Sequence, residues 1–201
     1  MENVVVSIFH IESEAFQAFS ELKQFVQTEN TKLAQASIVK AENGVINVKD
    51  SFDLMNSLGD DYFEGGLIGS LIGILGGPLG VLFGFATGGA IGASVGSDKE
   101  LANSVLITTV SNKLTNGEVA IIALVQENDE SVLNAIFEKY QVDIARWDVA
   151  TVAAEIESAL KIQEDLEHQA KARLIADKKE ARREKFDKLK ASIKEKFSKK
   201  N

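Results

Sequence analysis

Residues 65–97 form a 33-residue stretch without one charged side chain, holding 12 of the chain's 15 glycines and its only proline. The glycines keep a four-residue beat: Gly65, Gly69, Gly73 and Gly77, then Gly80, Gly84, Gly88, Gly92 and Gly96. The register breaks at Gly76-Gly77-Pro78. Residues four apart share one face of a helix. A glycine inside a helix costs about 1 kcal/mol relative to alanine. Nine of them cost about 9 kcal/mol, comparable to the stability of a whole domain. A chain that keeps them has to recover that loss, and close backbone approach, as in small-xxx-small packing, is the usual way. The spacing predicts two glycine-zipper helices joined by a tight turn. Pro78 opens the second, and the glycines before it close the first.

The other faces of this hairpin carry Leu67, Ile68, Leu71, Ile72, Ile74 and Leu75, then Leu79, Val81, Leu82, Phe83, Phe85 and Ile91. Helices apolar nearly all round sit in lipid or deep in protein. A spanning helix needs about 20 residues. Residues 78–97 meet that length, whereas 65–76 fall short without Tyr62 and Phe63. Asp60, Asp61 and Glu64 precede the hairpin, and Asp98, Lys99 and Glu100 come after it, so the basic flanks of an inserted segment are nearly absent. Two settings stay open: a hairpin in a membrane, or one buried between subunits of an oligomer.

Around this block the pattern alternates. Residues 4–9 are β-branched and read as a strand. Residues 13–27 place Ala15, Phe16, Phe19, Leu22, Phe25 and Val26 at helical spacing. Residues 33–41 and 45–49 are strands joined by Asn43-Gly44, a pair suited to the positive φ angles of a type I′ turn. Ser97-x-x-Glu100 has the form of a capping box and opens a helix to about Leu114. Residues 118–126 are a buried strand, and Asn128 or Asp129 caps a helix through Tyr140. Residues 142–147 form a last strand, an edge, with Trp147 anchoring the start of a long helix. The order β-α-β-β, hairpin, α-β-α-β predicts an α+β, ferredoxin-like sandwich over residues 1–148. The apolar hairpin, 62–97, is inserted into it.

Residues 149–201 lack glycine and proline and read as one long helix, about 75 Å at 1.5 Å per residue. The net charge of −8 conceals an asymmetry. Residues 171–201 carry 13 Lys/Arg and 5 Asp/Glu, a net of +8, and residues 1–170 carry 9 and 25, a net of −16. In the basic end, Phe186, Leu189, Ile193 and Phe197 make an apolar stripe among Arg182, Arg183, Lys185 and Lys188. Such a helix pairs with another copy or lies on an anionic membrane surface. Nucleic acid is disfavoured by the interspersed acids and the acidic body.

The strand Val4-Val5-Val6-Ser7-Ile8-Phe9, the Asn43-Gly44 turn, the glycine run from Gly65 through Gly92 and the late strand Val119-Ala120-Ile121-Ile122-Ala123-Leu124-Val125 appear in that order. The layout resembles a bacterial family of unknown function whose members are usually labelled predicted membrane proteins. The resemblance covers about residues 3–148 and leaves the basic tail outside. It implies a ferredoxin-like body and membrane association, and it implies no catalytic site.

Motifs for chemistry are scarce. With no cysteine, thiol and disulfide chemistry are excluded. His10 and His168, the two histidines, fall on a strand end and on the polar helix, and no zinc-type spacing occurs. Neither nucleotide-binding glycine motif is present. Asp60, Asp61 and Glu64 read as favouring the positive end of the first zipper helix. No basic, apolar leader opens the chain, so a cleaved signal is not expected. The expectation is a non-enzymatic, self-assembling protein without cofactor or metal. It associates with a membrane through the hairpin, on the cytoplasmic side, with an envelope or stress role. The alternative is a soluble homo-oligomer, a ring, shell or filament in the cytoplasm, with the hairpins between subunits.

Overall fold

The apolar run after Glu118 becomes the middle strand of a sheet. The computed structural model describes residues 1–54, 66–77 and 105–198, with backbone alone for 105, 174–176, 181–182 and 184–198. The strands are β1 (Glu2–Phe9), β2 (Thr31–Glu42), β3 (Val45–Asp53), β4 (Val119–Glu127) and β5 (Val142–Asp148). They form one sheet in the order β3-β2-β4-β1-β5, every neighbouring pair antiparallel. The architecture is mixed α+β, with a 50-residue C-terminal helix. β1 and β2 flank β4, and β4 and β5 flank β1, so each β-α-β connection skips one strand.

The continuous apolarity of β1 and β4 comes from cover on both sheet faces. On one face α1 (Glu12–Lys23) and α4 (Ser131–Phe137) bring Phe19, Leu22, Leu133 and Phe137 onto Val5, Phe9, Ile121 and Val125. Phe9 and Phe137 meet edge to face, with ring centroids 6.1 Å apart. On the other face lie α2 (Leu67–Gly76) and α3 (Val105–Lys113), with Leu71, Ile74, Leu106 and Val110 buried. α2 lies against β3, β2 and β4 and touches α3.

The hairpin turn has the expected geometry: Asn43 and Gly44 take φ of 55° and 76°. Boundaries shift where side chains intervene. α1 stops at Lys23 instead of running to Gln27, because the Gln27 side chain bonds both the N–H and the C=O of Leu33, at 2.9 Å each. α4 ends at Phe137, short of Tyr140. β3 runs four residues beyond Lys49, to Asp53. Its polar residues Asn47, Lys49 and Asp50 suit an edge strand exposed to water.

The chain divides into two compact units, Met1–Leu160 and Lys161–Asn201. The boundary falls inside α5 (Val149–Ser198), later than the strand–helix junction. The first turns of α5 belong to the body, since Val152, Ile156 and Ala159 are buried. Asp148 starts the helix: its Oδ1 accepts the N–H groups of Ala150 at 2.9 Å and Thr151 at 3.1 Å. Glu155 accepts the N–H groups of Leu106 at 3.1 Å and Ile107 at 3.4 Å, in the first turn of α3. A carboxylate there satisfies free donors and complements the helix dipole. The Ser97–Glu100 capping box lies outside the described residues.

Candidate functional site

The first arm of the glycine block is α2, and its apolar side is used inside its own chain. Ile68, Leu71, Ile74 and Leu75 are at most 1% exposed. Burying four such side chains stabilises by roughly 6–12 kcal/mol before entropy. The two interior glycines, Gly69 and Gly73, cost about 2 kcal/mol. The burial of this apolar side therefore outweighs the cost of the two interior glycines. From sequence alone these apolar residues suited lipid or the deep interior of a protein. Ten residues are also the length of an ordinary core helix, and that is what the described arm is.

The glycines divide into two kinds. Gly76, off the four-residue beat, makes the close approach: a Cβ there would stand 3.2 Å from the backbone oxygen of Ile46 in β3. Gly73, on the beat, is exposed, and a Cβ there would meet nothing within 4 Å. Gly69 is half-buried. Gly77 ends the helix in an extended conformation, its N–H bonded to the oxygen of Ile74 at 3.3 Å. Val48, two residues beyond Ile46 and on the same face of β3, is 49% exposed. α2 thus carries a sealed apolar side and, among the described residues, an open position at Gly73. Gly65, Pro78, Gly80, Gly84, Gly88, Gly92 and Gly96 lie outside the described residues, as do Asp60, Asp61 and Glu64.

In the tail, the backbone of Arg182, Arg183, Lys185, Phe186, Lys188, Leu189, Ile193 and Phe197 is helical. The described side chains of Arg183, Lys178 and Lys179 are exposed.

Polar clusters in the body were not legible in the sequence. Glu127, with its side chain 1% exposed, receives the Arg146 Nε–H at 2.8 Å and the Asn3 amide at 3.1 Å. Arg146 also donates to Asn134 Oδ1 at 2.6 Å. This group ties β1, β4, β5 and α4 together. Glu21 accepts from Lys139 at 2.6 Å and from the Tyr140 hydroxyl at 2.7 Å. Those two bonds hold its carboxyl below the ordinary value of 4.5. Desolvation, with the Glu21 hydrogen bond second, pushes the Tyr140 phenol up to about 12. His10 Nδ1 pairs with Glu118 at 3.0 Å. His168 stands on α5 with Glu164 at 3.9 Å. Each histidine pairs with one glutamate, and the groups around Glu127 and Glu21 read as structural ties. Among the described residues, no group of three or more His, Asp and Glu side chains could hold a metal ion.

A small cleft lies between α3 and the β1–β5 edge, lined by Val6, Thr109, Val110, Asp143 and Trp147. Lys113 and Asp143 pair at its rim, 3.7 Å apart. The cleft is almost wholly apolar and presents no nucleophile paired with a base.

These features define an α+β protein whose distinguishing element is a glycine-bearing helix on one face of an antiparallel sheet. The chain belongs to a family of proteins of unknown function, DUF1269, whose profile matches residues 63–167, more than half of the chain. The match takes in the glycine block, the elements α2 to β5 and the opening of α5. It omits β1 to β3, which the sequence layout had included, and the basic tail. No curated protein and no solved structure matches the chain.

Proposed function

We propose that this is a non-enzymatic, self-assembling protein whose copies meet through the side of α2 that carries Gly73. Gly73 carries the reading. It sits mid-helix, at a cost of about 1 kcal/mol relative to alanine, and a methyl group there meets nothing among the described residues. Among the described residues, Gly76 has an intrachain reason to be glycine and Gly73 has none. A second backbone brought close against that side supplies one. The frame is proposed to be ferredoxin-like. The run β5-β1-β4-β2, with its two strand-skipping connections, supports that arrangement, and β3 is then an added edge strand.

A membrane setting is the second reading, favoured by the uncharged length of residues 65–97. Among the described residues no helix is long and apolar enough to cross a membrane. The longer arm, 78–97, lies outside them. On this reading the basic tail, including Arg182, Lys185, Phe186 and Leu189, contacts an anionic leaflet.

The test is Gly73→Leu in the full chain, read by native mass and by fractionation. A Cβ at Gly73 meets nothing within 4 Å among the described residues, so the described fold should be retained, while a side chain on the contact denies backbone approach. The expected result is a smaller particle with unchanged circular dichroism. An unaltered particle mass refutes assembly through this side. Retention in carbonate-washed membranes moves the site of assembly into lipid.

A further inference from the structure

We infer that the C-terminal helix is a second, independent self-association element, pairing antiparallel with the same helix of another copy. The inference rests on the distribution of charge along residues 161–198, apart from the α2 reading. Glu164, Asp165 and Glu167 put three carboxylates into four residues with no base among them. Four turns further on, residues 178–183 hold four bases and one acid. Glu164, Asp165, Glu167, Lys178, Lys179 and Arg183 are all exposed. Asp165 and Arg183 are 18 residues apart, which is five turns at about 3.6 residues per turn, so they share one side of the helix. Glu164 and Lys178 are 14 apart, just under four turns by the same geometry.

One helix side therefore carries an acidic block ahead of a basic block. Within a single helix the blocks cannot meet. Local i,i+4 pairs, Glu164 to His168 at 3.9 Å and Glu167 to Lys171 at 3.7 Å, are long and exposed, and such pairs contribute little. Between two copies the direction of pairing decides the sign. Parallel helices set acidic block beside acidic block and basic beside basic. Antiparallel helices, related by a two-fold axis near Ala172, set each acidic block against the partner's basic block, twice per pair. Flanking charges select orientation in paired helices in this way. Ile162, Leu166 and Ala170 recur every four residues on the side of the helix away from Glu164, so the charged blocks themselves hold the paired surfaces. Ile162 and Leu166 are half-buried and Ala170 is exposed.

Charge exchange in the full-length chain tests the pairing. The triple change Glu164→Lys, Asp165→Lys, Glu167→Lys, and separately Lys178→Glu, Lys179→Glu, Arg183→Glu, should each weaken association about tenfold or more. All six together reverse both blocks and should restore it. The chain has no cysteine, so single introduced thiols report geometry without background. Ala172→Cys, beside the two-fold axis, should cross-link to itself with a short bismaleimide. Gln163→Cys should not, because antiparallel copies place those positions roughly 27 Å apart along the axis. Repeating the Ala172→Cys cross-link in a Gly73→Leu background separates the two contacts. Its persistence there while particle mass falls is expected if both readings hold. Equal cross-linking at 163 and 172, or no recovery in the six-fold variant, overturns antiparallel pairing. Unchanged association together with loss of binding to anionic vesicles on reversing the bases overturns it in favour of a lipid surface.

Discussion

Replacing Gly76 and Gly73 in turn by alanine should move stability in opposite directions. At Gly73 the new methyl meets nothing within 4 Å. The gain is then the helix preference of alanine and the reduced freedom of the unfolded chain, roughly 0.5–1 kcal/mol. At Gly76 the methyl lands 3.2 Å from the oxygen of Ile46, a backbone atom of β3. The neighbour must retreat by a few tenths of an ångström, and Ile46 is held in register opposite Ala41 of β2. Overpacking of this kind costs about 1–3 kcal/mol. Gly76 is also the last residue of α2, where the propensity gain is smallest. The net for Gly76→Ala is a loss of about 1 kcal/mol. Urea unfolding monitored by the fluorescence of the single tryptophan, Trp147, reads both variants. A shifted midpoint with an unchanged slope isolates the stability term. Runs at two protein concentrations separate the intrachain effect from assembly. If Gly76→Ala stabilises as much as Gly73→Ala, α2 does not close on β3 at Ile46, and the distinction between the two glycines fails.

The polar ties are open to the same kind of measurement. Arg146→Met strands the Glu127 carboxylate, whose side chain is 1% exposed, and should cost about 3–5 kcal/mol in the same unfolding assay. Adding Glu127→Gln should recover a large part of that loss. Glu155→Ala removes the acceptor for Leu106 and Ile107 and should cost about 1 kcal/mol, with hydrogen exchange fastest in α3. Glu21 is lowered by Lys139 and Tyr140, and Asp50 chiefly by Lys23. Lowered carboxyls contribute stability above their unfolded values that is lost as pH falls through the folded ones, so Glu21→Gln should flatten the acid limb of a stability–pH curve below about pH 4.5. Tyr140 is raised to about 12. Its contribution is complete below the unfolded value near 10 and is lost as pH rises from there toward 12, so Tyr140→Phe should flatten the alkaline limb.

Local signals in the sequence translated well. Asn43-Gly44 specified its turn because the two positive φ angles are a property of those two residues. The run Val119–Val125 announced a strand covered on both faces because its side chains alternate between two apolar layers. Partners separated in sequence were less legible. Glu127 and Arg146 are 19 residues apart, and Leu106 and Glu155 are 49 apart. Strand order brings them together, and no residue pattern encodes that order. The apolar face of α2 was legible as helix but not in its destination. A ten-residue helix carrying six Leu and Ile residues packs equally well on lipid, on a partner or on a sheet, and the covering β4 begins more than forty residues later.

The position of β4 in the chain has a consequence for synthesis. β1 pairs with β4 and β5, and β2 reaches β1 only through β4. A growing chain that has not yet released residue 127 can close the β2–β3 hairpin but leaves β1 without either neighbour. The uncharged residues 65–97 emerge in that interval, before the strand that completes the floor for Leu71 and Ile74. Long-range pairing of this kind is slow, and exposed apolar surface invites capture or aggregation meanwhile. The glycine block is therefore most in need of a partner during translation, and ribosome-bound chains that have released the block but not β4 are where a chaperone or a membrane would first encounter it.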